Sequence, residues 1–99
     1  MILNIRKSPV ANKRYRVDVM TRDGTKQFDF GQERGYTYID GATEEARANY
    51  WRRHTANALE DRLIRNLTPS PAVLSAYLLW GQSRDLVKNI QILNRLWRE

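Results

Sequence analysis

Arg47, Tyr50 and His54 stand at steps of three and four along the chain. A helix through them carries all three on one face, so a cation, a phenol and an imidazole share a surface with little plain apolar area. His54 is the single histidine, and an imidazole titrates close enough to neutrality to act as a general base. For nucleophilic chemistry it needs an orienting carboxylate, Asp40 or Asp61, and a hydroxyl such as Ser75. These residues are scattered, and their spacing builds no triad. Beside Arg52 and Arg53 the imidazole reads better as a structural hydrogen-bonding group, and no catalytic residue is assigned.

Other chemistries have less support. Gly31, Gly35 and Gly41 lack the spacing of a phosphate loop, and no Lys-Ser or Lys-Thr pair follows them. No His-x-x-x-His pair occurs. The absence of cysteine removes disulfides, thiolate catalysis and cysteine-built zinc sites, and suits a reducing compartment. No metal or cofactor site is expected. No apolar run approaches the ~18 residues of a membrane span. The start, Met1 to Lys7, places its charges after the short apolar run and lacks the order of a signal peptide.

The chain has 99 residues, 17 of them Lys or Arg against 11 Asp or Glu, for a net charge of +6. Thirteen of the basic residues are arginine, whose planar fork suits carboxylates, phosphates and aromatic faces. Residues 1–34 carry eight basic and four acidic side chains, net +4, and residues 35–99 carry nine and seven, net +2. This balance favours polyanions or acidic protein surfaces, though it also suits a solvated surface that keeps a protein soluble. The expected interaction surface is Arg14, Arg16, Arg22 and Lys26 on a hairpin, with Arg47, Arg52 and Arg53 on a helix. Tyr15 and Phe28 interleave the hairpin cations, as in some single-strand binders, but they belong to its apolar face. Glu44, Glu45, Glu60 and Asp61 interrupt the helical cations, which fits an ion-paired helix better than one that reads a groove.

A single domain over 1–99 must position these groups, with a β-rich part over 1–41 and a helical part over 42–99. The expected class is α+β: a two- or three-stranded antiparallel sheet followed by three or four helices. Ile2 to Ile5 reads as a short strand ending near Ser8-Pro9. Tyr15, Val17 and Val19 alternate with polar residues, and Asp23-Gly24 reads as a two-residue turn. That turn sets Val19 opposite Phe28, Val17 opposite Phe30 and Asp18 opposite Asp29. Two facing carboxylates call for a cation between them, a neighbouring arginine being simpler than a metal. Tyr36 to Ile39 is a candidate third strand.

Thr43 is the expected cap of a helix reaching His54, with Asp40 as the alternative. Leu59, Leu63 and Leu67 extend the spacing, so that helix continues to Asn66 or breaks near Thr55–Asn57. Ser70 caps a buried helix with Pro71 at its first position, and Gly81 ends it. Ser83 is the expected cap of the last helix, where Leu86, Ile90, Leu93 and Trp97 form an apolar stripe. These last two helices are expected to pair antiparallel against the sheet.

Phe30-Gly31, Tyr38 to Asp40, Arg47, Tyr50, Arg53-His54, Leu74-Ser75, Leu79-Trp80 and the final amphipathic helix occur in an order that resembles a known family. It is a family of small basic proteins of poorly defined function, encoded by large double-stranded DNA viruses of eukaryotes. The likeness runs from the hairpin to the C-terminal helix. The segment Thr55 to Leu67 departs from it, being more helical than the family's looser link. The resemblance implies a viral origin and a role in the virion or the virus factory, with host cytoplasm as the site of assembly. It brings no catalytic residues. On this reading the chain is a minor structural protein that bridges other viral structural proteins in an assembly, and the alternative is a nucleic-acid-binding module. Tyr38, Asp40, Tyr50, His54 and Trp80, which mix aromatic and polar character, are expected to form an internal brace. An exposed hairpin edge would offer strand pairing.

Overall fold

A computed structural model describes residues 1–98. Three strands come first: β1 (Ile2–Lys7), β2 (Lys13–Thr21) and β3 (Gly24–Gln32). They form one antiparallel sheet in chain order. A 3-10 turn over Tyr38–Asp40 leads to α1 (Glu44–Thr55), α2 (Ala58–Arg65), α3 (Pro71–Leu74), a π turn (Ser75–Leu79) and α4 (Leu86–Arg98). The α+β class expected from the sequence is the class observed.

The alternation in β2 and β3 sorts the sheet into two faces. Val17, Val19 and Phe30 are fully buried against the helices. The opposite face is polar and internally paired. Arg6 Nη1 donates to Asp18 Oδ2 at 2.9 Å, and Arg16 holds Asp29 through Nε at 3.0 Å and Nη2 at 3.2 Å.

The hairpin register differs from the expectation by two residues. Thr21 pairs with Gly24, Val17 with Phe28 and Tyr15 with Phe30, so the turn residues are Arg22 and Asp23. Gly24, at a φ of 108°, lies just after the turn and supplies its left-handed backbone there. A two-residue slip keeps every side chain on its face, so the alternation alone could not detect it. Asp18 therefore faces Gln27, and Asp29 faces Arg16. The expected carboxylate pair does not form, and arginines neutralise both members.

The third strand is Ile2–Lys7. Tyr36 to Ile39 forms no strand, because Asp40 folds the chain back on itself. Its Oδ2 accepts from the Thr37 N–H at 2.9 Å and the Thr37 hydroxyl at 2.8 Å. That closure suits a tight turn and leaves no extended backbone to pair.

Thr43 caps α1, its hydroxyl accepting from the Ala46 N–H at 3.0 Å. The helix stops at Thr55. Asn57 then caps α2 by accepting from the Glu60 N–H at 3.0 Å, which realises the break near Thr55–Asn57. Leu59 is exposed, and Ile64 is the buried residue of α2. Leu67 ends this corner with a φ of 54°, costly for a bulky side chain. The Thr68 N–H bonds back to Leu63 O, and the Trp97 indole donates to Leu67 O at 2.7 Å, so the strained residue is held from two sides.

Ser70 caps α3 with Pro71 at its first position. A Cβ added at Gly81 would lie 2.1 Å from Tyr77 O, so only glycine lets the chain turn there. The cap of α4 is Asp85. Its Oδ1 accepts from the Val87 N–H at 2.9 Å, while Ser83 Oγ accepts from Asp85 N. Leu93 is fully buried and α4 packs against the π turn. The link is Asn89, a buried polar residue on the apolar stripe. Its Nδ2 donates to Leu78 O at 3.0 Å and Ser83 O at 2.7 Å, and its Oδ1 accepts from Ser83 N at 3.0 Å. Among the described residues no helix is long and apolar enough to cross a membrane.

Candidate functional site

The helix face that carries Arg47, Tyr50 and His54 packs onto the end of the π turn. Tyr50 lies flat on Trp80, with ring centroids 4.7 Å apart and planes 8° from parallel. His54 covers the other side of Tyr50 at 4.1 Å. Arg47 Nε donates to Trp80 O at 3.1 Å and Gly81 O at 2.7 Å, and the Trp51 indole donates to Trp80 O at 2.8 Å. These donors satisfy carbonyls that the end of the helical turn leaves open.

The residues expected to form one brace fall into two clusters. Tyr50, His54 and Trp80 form one. Tyr38 and Asp40 belong to the other, where Arg14 grips Asp40 through two bonds of 2.7 Å and Arg84 covers the Tyr38 ring at 4.1 Å. Arg47 lies 5.7 Å from the Tyr38 ring and joins the two.

The expected interaction surface is smaller than its arginines suggested. Arg14, Arg16 and Arg47 are engaged inside the molecule on Asp40, Asp29 and the Trp80–Gly81 carbonyls. Arg22, Lys26, Arg52 and Arg53 are the members left exposed or partly exposed at the surface without a side-chain partner among the described residues.

Between the sheet and the helices lies a cleft of roughly 470 Å³. Such a volume is ordinary for a ligand site. Phe30, Gly31 and Leu79 form its floor, and Tyr50, Trp80, Pro71 and Ala72 its apolar walls. Gly31 permits the floor: its φ is 79°, and a Cβ there would meet Leu79 Cδ1 at 2.9 Å. Polar groups come from Lys13, Arg53, His54, Glu60 and Ser75. His54 Nδ1 bonds Glu60 Oε2 at 2.5 Å, so the imidazole is oriented by a carboxylate from the next helix. Neither Asp40 nor Asp61 plays that part. Burial pushes the Tyr50 hydroxyl up to about 12, helped by the negative Glu60, while Arg53 and Ser75 pull the other way. Arg14 holds Asp40 well below the usual carboxylate range, against a smaller cost of burial. Among the described residues no group of acids and histidine is placed to hold a metal.

A second candidate is the open side of β3. Met1 and Met20 exchange both backbone bonds, and the Ser8 N–H donates to Arg14 O. The even residues of β2 thus bond to β1, and its odd residues bond to β3. Through the register, Lys26, Phe28 and Phe30 use their backbone groups on β2, while at the strand end Gln32 O accepts from Gly35 N and Lys13 N donates to Val10 O. Thr25, Gln27 and Asp29 then point theirs away from the sheet, and no partner meets them among the described residues. The opposite edge is better protected. β1 carries a bulge between Ile2 and Asn4, and the Ile2 N–H is taken by Asn94 Oδ1 at 2.6 Å.

The sequence missed Glu60 and Asn89 as features of the site, whereas the free hairpin edge was expected. Asn89 left a signal, being an amide on the apolar stripe between Leu86 and Leu93. Glu60 left none, since its approach to His54 depends on the turn at Asn57.

A three-stranded sheet backed by short helices, with one open edge and a mixed cleft at its end, defines a small α+β domain. The chain belongs to DUF5754, a family of unknown function, whose profile matches residues 3–54. The match spans the sheet and α1 up to His54. No curated protein and no solved structure matches the chain.

Proposed function

We propose that this protein is a non-enzymatic interaction protein that takes an extended segment of a partner protein onto the free edge of β3. The observation that supports it is the row of outward backbone groups at Thr25, Gln27 and Asp29. From Thr25 to Asp29 the edge has no proline and no bulge to discourage pairing, and its single acid, Asp29, is neutralised by Arg16. An added strand gains main-chain hydrogen bonds, and alternate side chains give selectivity. Lys26 and Arg22 near the hairpin end favour an acidic partner. The resemblance to proteins of large DNA viruses supports a virion as the setting, with other viral structural proteins as partners.

Nucleic acid is the second reading, carried by the net charge of +6. Duplex binding through six phosphate contacts would give a log-affinity slope against log salt of about −5. Strand addition retains its main-chain bonds when charges are screened and falls less. The test titrates a labelled peptide of alternating valine and threonine, then a random duplex, at two salt concentrations. Gln27→Pro removes an outward N–H at an edge position that tolerates proline. We expect saturable peptide binding that Gln27→Pro abolishes in a protein whose circular dichroism is unchanged. Duplex binding that is tighter than peptide binding and collapses with salt would overturn the proposal.

A further inference from the structure

The cleft and the edge are continuous. Phe30, Gly31 and Gln32 close β3, and the same residues line the cleft. A strand added to β3 that runs beyond Asp29 therefore meets the cleft, where the left-handed backbone of Gly31 ends regular pairing. Antiparallel pairing is the more stable arrangement per residue. A segment running antiparallel to β3 has its N-terminal side at Gly31 and its C-terminal side at Thr25. The N-terminal side is the one delivered to the cleft.

The charges there have one sign to offer. Lys13 and Arg53 lie exposed in its lining without side-chain partners among the described residues. Glu60 is the one carboxylate in the lining, and His54 Nδ1 already engages it. The floor of Phe30 and Leu79 and the wall of Trp80 are apolar. An incoming group thus meets an apolar base with cations beside it.

We propose that the cleft selects the end of the added strand: an acidic residue held by Lys13 and Arg53, followed by an aromatic side chain against Trp80 and Pro71. This rests on the strand-addition reading and adds direction and sequence to it. The partner is an extended protein segment that begins acidic-acidic-aromatic and continues with β-branched residues. A carboxylate suits Arg53 through the paired N–H groups of the guanidinium, and an aromatic ring suits the partly exposed Trp80 ring.

The test uses the full chain and four N-acetylated, labelled peptides. One begins Glu-Glu-Phe and continues with alternating valine and threonine. The second carries the same acidic run at its C-terminal end, the third begins Lys-Lys-Phe, and the fourth begins Ser-Ser-Phe. We expect the first to bind at least tenfold tighter than the other three. Arg53→Glu should remove that advantage and leave the Ser-Ser-Phe peptide unchanged. Lys13→Glu should do so in part. Gln27→Pro should abolish all four. Equal affinity of the first and second peptides, or an advantage that survives Arg53→Glu with Lys13→Glu, overturns the cleft proposal. It leaves strand addition standing if Gln27→Pro still abolishes binding. Binding that survives Gln27→Pro overturns the strand reading itself. Displacement of the first peptide by a single-stranded oligonucleotide at lower concentration than by unlabelled peptide would assign the cleft to nucleic acid and overturn both.

Discussion

Trp80 is held twice by α1: its ring is stacked on Tyr50 at 4.7 Å, and its carbonyl accepts from the Trp51 indole at 2.8 Å. One residue thus fixes both the aromatic wall of the cleft and the end of the π turn. Trp80→Ala keeps the carbonyl bond and removes the stack. The expected loss is about 3 kcal/mol in urea denaturation. A double-mutant cycle with Tyr50→Ala should show coupling of about 0.5–1.5 kcal/mol beyond area burial. A coupling of zero would mean that the rings merely lie near each other.

Alkaline titration reads Tyr50. Its folded-state pKa is raised, so the folded form holds the phenol proton more tightly than the unfolded chain does. The contribution is fully present below about pH 10 and is lost as pH rises toward about 12. The native protein should therefore destabilise through that window. Tyr50→Phe has no proton to lose and should flatten the curve there, as measured by urea midpoints at a series of pH values.

Acid titration reads Asp40, with the opposite sign. Its folded-state pKa is depressed by Arg14, so its contribution is present above about pH 4 and falls as pH drops below it. The pair is partly solvated, which limits the effect to about 1 kcal/mol. Asp40→Asn should lower stability at neutral pH and reduce the acid slope. An acid limb unchanged by that substitution would assign it to Asp18 and Asp29, which arginines also hold low.

Asn89→Leu should cost about 3 kcal/mol, although it adds apolar volume to an apolar stripe. The amide serves Leu78 O, Ser83 O and the Ser83 N–H, and leucine leaves all three without it. Leu93→Ala, a plain cavity, should cost about 2–5 kcal/mol at the same turn. Both are checked by chemical denaturation. An Asn89→Leu variant as stable as the parent would show that water replaces the amide.

Much of this fold could be read from residue pattern because the signals were local. Ser70-Pro71 announced the start of α3, Gly81 the end of the π turn that follows it, and the spacing Leu86, Ile90, Leu93 the apolar face of α4. The stacking of Tyr50, His54 and Trp80 was also legible, since an aromatic and an imidazole one turn apart need a surface to cover. What failed depended on distance in sequence or on one backbone angle. The register hung on whether Gly24 lay in the turn or after it. Tyr36 to Ile39 had the composition of a strand, but Asp40 bonded back to Thr37. The arginines looked like a surface because sequence does not reveal that Arg14, Arg16 and Arg47 each have an internal acceptor.

The bond from the Ile2 N–H to Asn94 Oδ1 spans 92 residues. Synthesis on the ribosome runs from the N-terminus, so β1 emerges long before the helix that secures its edge. Until α4 has left the exit tunnel, the sheet has two open edges, and Val17, Val19 and Phe30 lack part of their cover. The nascent chain is then at its most adhesive, and folding can finish only once translation has passed Asn94. Slowing translation ahead of the α4 codons should therefore prolong the interval in which chaperones bind the chain.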